Sequence, residues 1–141
     1  MLTRCLQDLL PHSGRMRLIS AVVRWDEAGI ECRADSHRDP DNPLRVDASL
    51  PSIAGLEYGA QAMAIHGALV AGRMVPPRVG LLVAAHDLAW TVDRLDTIAD
   101  ALTIRATRIL GSANQVVYEF SLLEGARLLV SGRASVFLAV D

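Results

Sequence analysis

The sequence predicts an α+β fold in which an antiparallel sheet curls around one long helix, and three observations predict it. Residues 52–72 form an unbroken small and apolar run in which Glu57 is the one formally charged side chain. Two strand-like runs with the turn Asp26-Glu27-Ala28-Gly29 between them precede that segment. Four more strand-like runs follow it, separated by turn residues. A helix apolar on nearly every face belongs inside a protein, and a meander of strands is the element that wraps it. At 141 residues the chain has the length of one domain with a real core, and neither repeats nor a linker divide residues 1–141.

The elements read in order as follows. Thr3 to Leu10 has the pattern of a short amphipathic helix, with Thr3 as its N-cap and Pro11 as its stop. Arg17–Arg24 and Gly29–Ala34 are strand-like and form a hairpin. Ser36–Leu50 is rich in Asp, Asn and Pro and reads as a loop. The helix then runs from Ser52, or a neighbour acting as N-cap, to Gly72 near its end. Its Gly55, Gly59 and Gly67, with repeated Ala, keep its surface thin enough for a sheet backbone to approach. Pro76-Pro77 breaks the chain, and the strands Val79–Trp90, Ala101–Leu110, Gln115–Leu123 and Arg127–Val140 follow. Gly111 with Asn114 marks one turn, and Glu124-Gly125 a tight turn between the last two strands.

Composition excludes several classes of function. The net charge is −2, with no basic stripe, which argues against nucleic acid as a partner. All 14 basic residues are Arg, so neither a Schiff-base lysine nor a lysine-dependent phosphate loop exists. Cys5 and Cys32 stand apart and no Cys/His spacing suggests a metal; two isolated thiols fit a reducing, cytoplasmic setting. Met1 to Leu10 is too short and polar for a secretory signal. The central helix has the length of a membrane span, but Glu57, Gln61 and His66 within it make it an unfavourable one.

A carboxylate on a buried helix bears a desolvation cost unless it has partners or keeps its proton. Glu57 is therefore a candidate for chemistry, or else it sits at a wet edge of the helix and bridges something. Gln61, at i+4, shares its face. His66, nine residues past Glu57, lies across the helix and reads as a satisfied core or interface histidine. His86 and Asp87 face opposite sides of a strand and read as solvated. His37, among Asp35, Arg38 and Asp39, reads as loop polarity. Tyr58, Trp25 and Trp90 read as packing, and Arg78 as a solvated loop residue or a phosphate contact.

Three segments resemble one family in the right order. Leu10-Pro11-His12-Ser13-Gly14-Arg15-Met16-Arg17-Leu18-Ile19 is similar to an opening Leu-Pro-His-x-x-x-Met/Phe-x-Leu-Leu. Pro51-Ser52-Ile53-Ala54-Gly55-Leu56-Glu57-Tyr58-Gly59-Ala60-Gln61 is similar to Pro-Gly-Val-x-x-Leu-Glu-x-Met-Ala-Gln. Ser131-Gly132-Arg133-Ala134-Ser135-Val136 is similar to a closing strand. The chain resembles the hotdog-fold β-hydroxyacyl-acyl-carrier-protein dehydratases, and most of all their divergent aryl-polyene-type branch. It departs from them at one place. The family's Gly-His-Phe-Pro-Gly, which carries its main base, stands about fourteen residues before the helix glutamate, where this chain has Pro43 within Asp41-Asn42-Pro43-Leu44 and no histidine.

The resemblance implies a hotdog fold with a site built across a dimer, acting on a 3-hydroxyacyl group held as an acyl-carrier-protein or coenzyme A thioester. It implies no metal and no cofactor. Glu57 takes the position of the acid that protonates the departing hydroxyl, and Gln61 that of a residue positioning it or the loop. Backbone amides at the helix start, around Ser52 and Ile53, are placed to stabilise the thioester oxygen. His12 is either a structural loop histidine or the base that replaces the missing one, and His37 is a lesser candidate for the same replacement. Three functions stay open at this point: a dehydratase or hydratase, a weakly catalytic subunit pairing with a complete hotdog dehydratase, and a hotdog thioesterase. The exposed sheet edge and the apolar helix together predict at least a dimer, with itself or with another hotdog subunit.

Overall fold

A computed structural model of the chain describes residues 16–72, 80–112 and 114–138. The helix expected at 3–10, His12, Cys5 and Arg78 lie outside the described residues. Six antiparallel strands form one sheet: β1 (Ala21–Trp25), β2 (Gly29–Ala34), β3 (Gly80–Trp90), β4 (Leu102–Gly111), β5 (Gln115–Glu124) and β6 (Arg127–Leu138). Their order across the sheet is β1-β2-β4-β5-β6-β3, so β1 and β3 are the edges among the described residues. One α-helix among the described residues, α1 (Gly55–Ala71), lies across β2, β4, β5 and β6.

Period-two burial explains why these residues form strands around that helix. Ile30, Cys32 and Ala34 of β2, Leu102, Ile104 and Ala106 of β4, and Val116, Tyr118, Phe120 and Leu122 of β5 point inward and are buried. Tyr58, Ala62, Ile65 and Leu69 of α1 meet them. The turns form as expected. Asp26 Oδ1 accepts the amides of Ala28 (2.8 Å) and Gly29 (3.0 Å), and Gly125, at φ +58°, closes the β5–β6 turn.

Two boundaries differ from the sequence reading. The first strand begins only at Ala21, because the backbone of Met16 and Leu18 bonds to the Gln61 side chain instead of to a neighbouring strand. Residues 52–54 form a 3-10 turn before α1, and Ser52 does not cap the helix. Its hydroxyl donates to Val92 O and its amide to Asp93 O (3.2 Å), which fastens the segment after β3 to the helix start. Asp96 secures the same junction by accepting the Leu50 amide (2.8 Å) while paired with Arg94.

The sheet covers one side of α1 and leaves a stripe less covered. Ile53 (48% exposed), Glu57, Ala60, Ala64, Gly67 and Ala71 follow one another at helical spacing along it, each half-buried or exposed. The glycines divide between the two sides. A Cβ on Gly59 would stand 2.7 Å from the Phe120 ring and one on Gly55 3.1 Å from Val130, whereas one on Gly67 would meet nothing within 4 Å. Gly59→Leu is therefore expected to overpack the helix–sheet contact and to cost about 1–3 kcal/mol, while Gly67→Ala is expected to be free of any such steric penalty. Chemical denaturation of the two variants checks both, and equal midpoints would contradict this packing.

Candidate active site

Glu57 lies in the first turn of α1, half-buried, on the stripe that faces away from the sheet. Gln61, one turn later, is fully buried and donates from Nε2 to Glu57 Oε1 (3.3 Å). Its Oε1 accepts the Leu18 amide (2.9 Å) and its Nε2 also donates to Met16 O. These three partners fix which end of the amide is oxygen. Gln61 is thus a clamp joining the chain at residues 16–18 to the carboxylate of Glu57.

A second polar group adjoins the clamp. Tyr58, with no exposed surface, has its hydroxyl 2.7 Å from Ser36 Oγ and 3.2 Å from Asn42 Nδ2. Ser36 Oγ donates to Leu18 O (2.8 Å), and Asn42 Nδ2 to Ser36 O (3.0 Å). Burial raises the Tyr58 pKa above its ordinary value, so the phenol keeps its proton at neutral pH. The sequence reading had Tyr58 as packing; no periodic pattern signals a phenol whose partners come from a loop 16 to 22 residues away.

The histidines fall in different places. His37, read from sequence as loop polarity, is wholly buried and its Nε2 donates to Ile98 O (3.0 Å). With Arg38, which donates to Ala99 O (2.6 Å), it pins the loop before α1 to the segment after β3. His66 is buried in the core, as the sequence indicated. Nε2 donates to Asp26 O (2.7 Å), so in the neutral ring Nδ1 accepts the Tyr118 hydroxyl proton, with the two rings edge to face. His86 and Asp87 are exposed on β3, and His86 stands opposite Arg133. None of these three histidines is bonded to Glu57.

At the helix start, Ser52 commits its amide and hydroxyl to the segment after β3, and the Ala54 amide goes to Pro51 O (3.0 Å). Ile53 is exposed at the tip of that turn, at the same end of the helix as Glu57. Among the described residues no group of His, Cys, Asp or Glu is placed to hold a metal ion, and no helix is long and apolar enough to cross a membrane.

A family model described as ApeP dehydratase matches residues 4–141. The chain belongs to this family. It is a hotdog-fold dehydratase of the divergent, aryl-polyene type that the three sequence motifs resembled. Solved structures share the fold. The dehydratase heterocomplex ApeI:P from Xenorhabdus doucetiae superimposes with a TM-score of 0.84 at 20% identity, covering 96% of this chain and 91% of that one. A thioesterase from Staphylococcus aureus gives 0.62 at 13% identity, over 85% of this chain and 93% of its own. A hypothetical thioesterase from Streptococcus pneumoniae, solved with coenzyme A, gives 0.59 at 10% identity, over 85% of each chain. At these identities the likenesses speak for the fold alone. No curated protein matches the chain.

Burial lowers the pKa of both His37 and His66 below the ordinary 6.5. The unfolded chain therefore binds more protons than the native one as pH falls through about 6.5. Stability is expected to be greatest above that pH and to fall on acidification toward the two depressed folded values. Thermal midpoints measured between pH 7.5 and 5.5 check the sign, and His66→Gln is expected to shrink the drop. An unchanged drop in that variant would remove His66 from the account.

Proposed function

We propose that this dehydratase acts on a 3-hydroxyacyl group carried as an acyl-carrier-protein or coenzyme A thioester, in a site that a second hotdog subunit completes. The observation that carries the reading is the position of Glu57, held by Gln61 on the side of α1 that the sheet leaves open. Elimination of water needs a base at the α-carbon, an acid at the β-hydroxyl and donors at the thioester oxygen. Glu57 is the acid: its carboxyl group gives the proton that departs with the β-hydroxyl as water. The Ile53 amide, at the positive end of the α1 dipole, faces the thioester oxygen as charge develops on it.

The base is a group beyond the described residues, either His12 of this chain or a side chain of the second subunit. Neither His37 nor His66 is the base in this reading: His37 has no exposed surface, and His66, equally buried, has both ring nitrogens bonded, to Asp26 and Tyr118. The relative from Xenorhabdus doucetiae is named as a heterocomplex, which supports a different hotdog subunit as the partner here. Free, buried Cys32 is compatible with a reducing cytoplasm as the setting. The thioesterase alternative has only the shared fold in its favour.

Incubating the chain, alone and with a candidate hotdog partner, with a 3-hydroxyacyl-carrier thioester tests this directly. Mass spectrometry is expected to show the 2-enoyl product, and Glu57→Gln to lower the rate by about 100-fold or more with the fold intact. Undiminished turnover in Glu57→Gln would end the role given to that residue. Release of free thiol in place of the enoyl product would favour the thioesterase.

A further inference from the structure

The polar groups around Tyr58 and Gln61 form two hydrogen-bonded runs, each of fixed direction, that meet at the backbone of Leu18. Ser36 has a single hydroxyl proton, and Leu18 O, a carbonyl, can only accept it. The Tyr58 hydroxyl must then donate to Ser36 Oγ, and it accepts from Asn42 Nδ2. Across the Leu18 residue, the Leu18 amide donates to Gln61 Oε1, and Gln61 Nε2 donates to Glu57. The first run ends at Leu18 O and the second at the Glu57 carboxyl group, with Gln61 Nε2 also held by Met16 O. Tyr58 and Gln61 are both fully buried, so water does not compete for these bonds, and the Leu18 backbone links the two runs mechanically.

The first run begins beside the position where the family's usual histidine is missing. Asn42 precedes Pro43, and its Oδ1 accepts the Leu44 amide (2.9 Å), so the side chain is engaged at both ends. The geometry points to Tyr58 as a positioning residue for the dehydration. Through Ser36, Leu18 and Gln61, it holds the Glu57 carboxyl group in place and ties it to the loop of Ser36 and Asn42. This rests on the reading of Glu57 as the acid. Tyr58 itself is buried and touches no substrate; its effect on the reaction passes through Glu57 alone.

A double-mutant cycle on the full chain, assayed with the subunit that completes its site and a 3-hydroxyacyl-carrier thioester, tests this. Tyr58→Phe keeps the ring and removes the hydroxyl. It is expected to lower kcat about tenfold with KM within about twofold, since small misplacements of a reacting group are costly. Added to Glu57→Gln, it is expected to change the residual rate by less than about twofold, because both variants break one path. Ser36→Ala is expected to behave like Tyr58→Phe, and Ser36→Thr to restore kcat; this pair carries the test if Tyr58→Phe does not fold. Wild-type kcat in Tyr58→Phe and Ser36→Ala, with Glu57→Gln inactive, would overturn the positioning role. So would an equal loss from Tyr58→Phe in both backgrounds, the mark of a general structural effect. Full turnover of Glu57→Gln alone would instead remove the acid, and with it the path that leads there.

Discussion

A single six-stranded sheet can cover only one side of a helix that is apolar almost all the way round, and the rest of the structure follows from that mismatch. On the covered side the approach is close enough that Gly55 and Gly59 stand where a larger side chain would strike Val130 or Phe120. On the other side Ile53, Ala60, Ala64 and Gly67 remain with little over them, and Glu57 stands among them. The sheet has its own incomplete side, because among the described residues β3 pairs with β6 alone and stands at an edge. A second subunit laid against β3 and the open stripe of α1 would cover both.

The loop before α1 shows how the chain manages without the family's histidine motif. In place of a histidine at that position, Ser36, His37, Arg38 and Asn42 fasten the loop to three neighbours. His37 and Arg38 hold the segment after β3, Ser36 and Asn42 hold Tyr58, and Ser36 also holds Leu18. An unpaired polar group in such a place is costly, so each of these bonds opposes movement of the loop. Under the proposed function this loop anchors the acid, and a different element supplies the base.

Much of this was legible in the sequence, for reasons that can be named. The helix was readable because one charge in an otherwise small, apolar run has few other interpretations, and the strands because inward residues alternate with outward ones. The tight turns announced themselves through Asp26, Gly125 and their neighbours. Glu57 and Gln61 were visible as an i, i+4 pair, but the hold of Gln61 on Met16 and Leu18 spans 43 to 45 residues and no local pattern encodes it. Ser52 looked like an N-cap by type and position, yet its hydroxyl bonds to Val92, 40 residues on. His37, set among charged neighbours, gave every local sign of exposure and is buried. What local reading missed are long-range polar contacts, which depend on where the sheet folds the chain back and not on residue spacing.

The central claim is that this subunit cannot satisfy α1 and β3 by itself. Sedimentation equilibrium of the purified chain, alone and mixed with its hotdog partner, measures that most directly. The account predicts that at micromolar concentration the chain sediments as a dimer, with itself or with that partner. A stable, soluble monomer under both conditions would contradict it, and would remove the route by which a second subunit completes the site around Glu57.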